Sequence, residues 1–212
     1  MHKLLSSKWL KVPVFLLGLV PIGVVGWRAL HNDLTANPIE YITHATGDWT
    51  LRFLVITLAI TPLRKILGLP ELVRFRRMLG LFAFFYACLH FSTYIVLDKF
   101  FDMSEIWKDI LKRRFITVGF AAFLLLIPLA VTSTAGWIRR LGGKRWQSLH
   151  RLIYASAILA VIHYYWLVKS AVIRPLTYGA IVAVLLLFRA VVWLTKRGSR
   201  LPAAKIASEP TI

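Results

Sequence analysis

At 212 residues, 58% of them hydrophobic, the chain carries uncharged stretches too long for the core of a soluble protein of this size. Its net charge of +18 would suit nucleic acid in a soluble chain, but here lysines and arginines bracket the apolar stretches, as the positive-inside bias of membrane proteins requires, so a nucleic-acid partner is set aside. The single cysteine, Cys88, excludes an internal disulfide, a CxxC redox pair and a CxxCH attachment motif.

The pattern predicts an all-α membrane protein of six transmembrane helices, near 12–30, 48–67, 78–97, 115–137, 150–168 and 173–195, in one domain covering 1–212. The first apolar stretch follows Lys3, Lys8 and Lys11 and superficially resembles a secretory signal. It runs into Gly26-Trp27-Arg28 with no small-x-small cleavage site, so it is expected to stay as a helix. The second carries Arg52, which must snorkel or find an acidic partner. The third (Met78–Leu97) and fourth (Phe115–Ile138) are uncharged for 20 and 24 residues, and the fifth (Leu152–Val168) for 17. Arg189 in the sixth raises the same question as Arg52. Between the third and fourth, Met103, Ile106, Trp107, Ile110 and Leu111 recur at helical spacing behind Asp102-x-x-Glu105, which reads as a short amphipathic helix on the membrane surface.

Orientation follows from lysine and arginine placement. The N-terminus, 64–77, 138–147 and the tail after Thr195 carry three, five, four and four; the alternate segments 31–48, 98–114 and 169–174 carry none, five and two. Both termini are therefore expected in the cytoplasm.

Titratable rings inside apolar spans are costly and usually have a function. His90 stands 13 residues past Arg77 and His163 stands 12 past Arg151, on spans running in the same direction. The two rings should lie at one depth, within roughly 2 Å. Two imidazoles at one level can ligate a single haem iron from opposite faces, leaving no open position; that suits electron transfer better than oxygen chemistry. A lone buried histidine serves as readily in an interhelical hydrogen bond, and only the matched depth favours the shared iron. His150, at the cytoplasmic end of the fifth span, is about 20 Å from His163 by helical rise, and about 140° away from it around the axis. It is left open between a second ligand site and an ordinary interface residue. Thirteen or fourteen residues before His90 stand Arg77 and Arg76 rather than a histidine. Arg74, Arg76, Arg77, Lys144 and Arg145 could steady anionic groups there. His2, His31 and His44 fall in expected tails or loops.

No GxGxxG, P-loop, HExxH or Ser/His/Asp arrangement is present, and the tail has no room for a nicotinamide or flavin domain. Without a covalent attachment motif any haem is b-type. Such a chain would have no substrate site of its own.

The stretches "TPLRKILG", "FRRMLGLFAFFYACLHFSTY", "LGGKRWQSLHRLIY" and "IHYYWLVKS" resemble the MsrQ (YedZ) family, within the ferric-reductase-like transmembrane domains. One departure is Arg114 in "KRRFITVG", where proline is expected. The resemblance implies a b-type cytochrome subunit of the bacterial inner membrane. It would pass electrons to the periplasmic molybdopterin enzyme MsrP, which reduces oxidised methionine in proteins. It also implies haem association at His90, His150 and His163, hence one or two haems. Flavin mononucleotide (FMN), a cytosolic flavin reductase and the quinone pool are the implied electron sources. The rival readings are a stand-alone ferric or cupric reductase and a histidine-based proton relay or transporter.

Overall fold

The computed structural model of the chain describes residues 7–168 and 171–198. Lys3, Lys169, Arg200 and Lys205, which contribute to the orientation argument, and His2 lie outside the described residues. Within them the fold is entirely helical: α1 (Lys11–Leu30), α2 (Pro38–Ile66), α3 (Val73–Thr93), α4 (Met103–Lys112), α5 (Arg114–Val131), α6 (Ala135–Leu149), α7 (Leu152–Leu167) and α8 (Ile173–Gly198).

Four stretches are long and apolar enough to cross a membrane: Lys11–Leu30, Pro70–Asp98, Arg114–Val131 and Ile173–Thr195. Leu152–Leu167 is apolar but shorter. The long α2 carries five charged side chains (Glu40, Asp48, Arg52, Arg64 and Lys65) along its length.

Several boundaries differ from the sequence expectation. Helix α2 begins at Pro38, ten residues early, because Asn37 caps it: its side chain accepts from the Glu40 amide at 3.2 Å, and Pro38 suits the first helical position. His44 therefore stands on a helix, not in a loop. The fourth helix stops at Val131 instead of running to 137. Thr134 then caps a separate helix, α6, accepting from the Trp137 amide at 3.3 Å. The stretch expected as the loop 138–147 is thus helical, broken only at Gly142, whose φ of 72° favours glycine. Past Thr93, α3 continues as a π-turn over Tyr94–Asp98 before reaching α4. The amphipathic α4 is present as expected, with Asp102 accepting from the Glu105 amide at 3.0 Å.

Two intimate helix pairs dominate the packing, α2 with α3 and α5 with α7; α8 lies along α7 and α2. Small residues make the close approaches possible. Ala83 and Ala157 are fully buried, and Ser156 spends its hydroxyl on the Ala122 carbonyl at 3.0 Å. Helix α1 docks through Gly18, against which the Phe82 ring lies. The Tyr86 hydroxyl donates to the Gly18 carbonyl at 2.9 Å and accepts from the Ile22 amide at 3.1 Å. Arg52 has its acidic partner, Asp48, at 3.8 Å, and lies over the Trp49 ring. Arg189 has none among the described residues: it donates to the Leu58 carbonyl at 2.6 Å and to the Tyr154 hydroxyl at 3.2 Å.

Candidate functional site

The four helices of the two intimate pairs enclose a cavity of about 590 Å³ towards the α4 end of the bundle. Its walls are largely apolar, with Leu51, Leu54, Phe91, Phe120, Phe123 and Leu126 among them. Its mouth is polar: Asn37, Glu40, His44 and Asp48 from the first turns of α2, with Asp98 and Arg113. Small, mostly apolar chambers with a few polar groups are what cofactor sites look like.

His90 on α3 and His163 on α7 both face this chamber, and their ring centroids are 6.1 Å apart with planes at 73°. Each ring is fixed in the same way by the partner helix of its pair. His90 Nδ1 donates to the Thr43 carbonyl of α2 at 3.0 Å, and His163 Nδ1 donates to the Phe115 carbonyl of α5 at 2.7 Å. A carbonyl can only accept, so in each neutral ring Nδ1 carries the proton and Nε2 is left with its lone pair free for a metal. Metal-binding histidines are commonly oriented by just such a bond to a backbone carbonyl.

Each ring also lies against a glycine four residues beyond its carbonyl. A Cβ at Gly47 would stand 3.1 Å from the His90 ring, and one at Gly119 would stand 2.6 Å from His163 Nδ1. The close seat exists because those two positions have no side chain. Neither glycine nor the carbonyls of Thr43 and Phe115 were singled out by sequence. The only signal is the matched spacing Thr43-x-x-x-Gly47 and Phe115-x-x-x-Gly119, which acquires meaning once the pairing of the helices is known.

Two imidazoles that share one metal set a distance between their ring centres. With metal–nitrogen bonds of about 2 Å and about 1.2 Å from nitrogen to ring centre, the ring centres should be roughly 6 Å apart. Among the described residues no cluster of three or more histidine, cysteine or carboxylate side chains offers a metal site built from side chains alone. The pair by itself supplies two ligand positions.

His150 is placed differently. It sits between α6 and α7, at the opposite end of the bundle, and does not line the chamber. Its Nε2 is 3.0 Å from Thr132 Oγ1, which itself donates to the Pro128 carbonyl at 2.6 Å; the ring nitrogen is therefore the donor. Trp146 stacks on the ring at 3.8 Å between centroids, and its indole N–H donates to the Thr132 carbonyl at 2.8 Å. Nε2 and one ring face are engaged by protein, while in the neutral ring Nδ1 keeps its lone pair. Of the remaining histidines, His31 caps α1 and stacks on Trp27, while the exposed His44 lies 4.0 Å from Glu40.

At the α4 end, Lys99 is buried between Glu105 and Asp109, the latter at 2.9 Å, and Arg113 holds the other Asp109 oxygen at 3.1 Å. Hydrogen bonds to the two carboxylates hold the Lys99 ammonium well above the usual lysine range. Burial pushes Asp109 up, but the Lys99 hydrogen bond and the Arg113 charge outweigh it and hold the carboxyl below its usual range. This network ties α4 to the end of the π-turn.

Residues 46–161 match the family described as ferric reductase like transmembrane component. A Herminiimonas arsenicoxydans protein named protein-methionine-sulfoxide reductase heme-binding subunit MsrQ is 56% identical over 193 residues, covering 90% of this chain and 88% of the relative. Proteins of the same name from Rhodospirillum rubrum and Caulobacter vibrioides are 52% and 50% identical, over 89% and 87% of this chain and 91% and 87% of their own lengths.

Proposed function

Because the chain belongs to the ferric reductase like transmembrane family, we propose that it is the haem-binding, electron-carrying membrane subunit of a protein-methionine-sulfoxide reductase system, with His90 and His163 as axial ligands of one b-type haem. The observation that carries this reading is the imidazole pair itself: two rings 6.1 Å apart over an apolar chamber, each with Nδ1 tied to a carbonyl and Nε2 left free. When bound, such a haem would supply one-electron chemistry. The protein's part is to hold and shield it. The Thr43 and Phe115 carbonyls set ring tautomer and angle, Gly47 and Gly119 give the rings their seats, and the phenylalanine walls keep water away.

The chain would cross the bacterial inner membrane six times with both termini in the cytoplasm, as its lysine and arginine distribution favours. The His90–His163 chamber then opens towards the periplasm, where the recipient would be the molybdopterin reductase MsrP. The donor would be a cytosolic flavin reductase or the quinone pool, with no residue of this chain assigned to FMN or quinone. For a second, inner haem, His150 would offer Nδ1, and no second ligand is assigned among the described residues. The His150 Nε2 is used by Thr132, Trp146 covers one face, and the nearby charged group is Arg76, so no step is routed through it.

The test is an optical spectrum of the purified protein before and after dithionite, with haem quantified per chain. The expected result is a b-type reduced spectrum that disappears in His90→Ala and in His163→Ala and persists in His150→Ala at one haem per chain. A protein that purifies colourless from haem-replete cells would overturn the reading in favour of a proton relay. Rapid partner-free reduction of ferric or cupric chelates would instead favour direct metal reduction, for which the carboxylates Glu40, Asp48 and Asp98 at the mouth are the supporting feature.

A further inference from the structure

At the α6 end of the bundle three helices each bring an arginine. Arg76 of α3 is within electrostatic reach of Arg189 of α8, Arg64 of α2 and the Tyr154 ring of α7. None of the ion pairs among the described residues involves any of the three. Arg189 is not splayed into solvent. One of its nitrogens is held by the Leu58 carbonyl, another by the Tyr154 hydroxyl, and its Nε is buried without a hydrogen-bond partner. Like charges gathered in a medium of low dielectric are costly unless an anion joins them, and a buried guanidinium N–H left unpaired adds to that cost.

The position narrows the anion. Arg64 is two residues from the end of α2 and Arg76 three past the start of α3, so both stand at the membrane boundary of their helices. Arg189 lies six residues before Thr195, where the apolar stretch of α8 ends, roughly 9 Å of helical rise. Around it α8 exposes Val184, Leu187, Val191, Trp193 and Leu194, a surface suited to acyl chains. Basic pockets between membrane helices at this depth take lipid head groups, and guanidinium suits the phosphate oxygens by its paired donors.

We infer that Arg64, Arg76 and Arg189, with Tyr154 as the group that aims Arg189, form a binding site for the phosphate of an anionic phospholipid. The site is independent of the haem reading and depends on the proposed orientation only for the name of the leaflet, the inner one. Bound lipid phosphate would satisfy Arg189 Nε and hold α2, α3, α7 and α8 together at the end remote from the chamber.

The experiment uses the full chain purified in a neutral detergent and measures its Tm with phosphatidylglycerol, with phosphatidylcholine at equal mole fraction, and with sodium phosphate against sodium chloride at matched ionic strength. Native mass spectrometry reads retained lipid in parallel. The expected result is a rise of several degrees with phosphatidylglycerol alone and one retained lipid per chain. Both should be lost in Arg76→Gln and Arg189→Gln and reduced in Arg76→Lys, which keeps the charge but not the paired donors. Equal shifts for the two lipids, or unchanged shifts in the variants, would overturn the site. A shift reproduced in full by inorganic phosphate would overturn the lipid as its source. Should the glutamine variants fail to fold, Arg64→Gln, near a helix end, and Arg76→Lys carry the same comparison. An unchanged visible spectrum in the variants separates this outcome from any failure of the haem site.

Discussion

One of the tightest constraints in the molecule is a missing methyl group at the His163 seat. A Cβ on residue 119 would stand 2.6 Å from His163 Nδ1, inside the distance at which that nitrogen meets the Phe115 carbonyl, and the ring has nowhere to retreat without losing the bond. Gly119→Ala is therefore expected to strip most of the haem from the purified protein, read as the Soret absorbance per chain. Gly47→Ala, with 3.1 Å to the His90 ring, should cost less, because a shift of a few tenths of an ångström accommodates it. The histidines themselves were legible in the sequence: counting from Arg77 and Arg151 placed them at one level, and the rings do meet. Their glycine seats were not legible. A glycine in an apolar helix serves packing, bending or nothing, and only the pairing of α2 with α3 and of α5 with α7 reveals which. His150 shows the same limit from the other side, since its Thr132 and Trp146 partners come from a segment the hydropathy pattern had assigned to a span and a loop.

Among the elements, α4 owes its seat to charge as well as to Ile106 and Ile110. The Asp109 carboxyl is held below its ordinary range, so the stability it contributes is present above about pH 4, its unfolded value, and is lost as pH falls through the lower folded value. The Lys99 ammonium is held above its own range, so its contribution is complete at neutral pH and fades only in strong alkali. Acidification below about pH 4 should thus release α4, followed as a change in Trp107 fluorescence. At neutral pH Lys99→Met should leave Asp109 with Arg113 and the Tyr94 hydroxyl and raise amide exchange over 103–112 without altering the haem spectrum. The amphipathic spacing announced this helix before its partners were known. The early start of α2 and the whole of α6 were hidden because caps, not hydrophobicity, begin them: Asn37 before Pro38, and Thr134 before Ala135.

At the level of the whole molecule, the proposed orientation puts α4 outside the cell membrane and α6 within the cytoplasm. In a Cys88→Ser background, Trp107→Cys should react with a membrane-impermeant maleimide in intact spheroplasts. Lys144→Cys should react only after permeabilisation, and the reverse pattern would invert the topology. Apolar run lengths and the lysine and arginine distribution were enough to anticipate an all-helical membrane chain. They could not anticipate that the helices associate as two pairs, which depends on buried small residues such as Ala83 and Ala157 that look like any others in the sequence.

That pairing has a consequence for biogenesis. The first half of the chain builds one complete imidazole clamp, from α2 and α3, and the second half builds another, from α5 and α7. Neither half alone can grip an iron from both sides. Under the proposed function a haem bound between them would act as a staple across the midline of the polypeptide, and its arrival would be a late event, after both halves have been inserted and each has packed upon itself. Newly made chains in a haem-starved cell would then stand as two finished halves held only by lipid and side-chain contacts, the form a membrane protease is best placed to remove. The abundance of the protein would follow the cell's supply of haem with no need for a dedicated regulator.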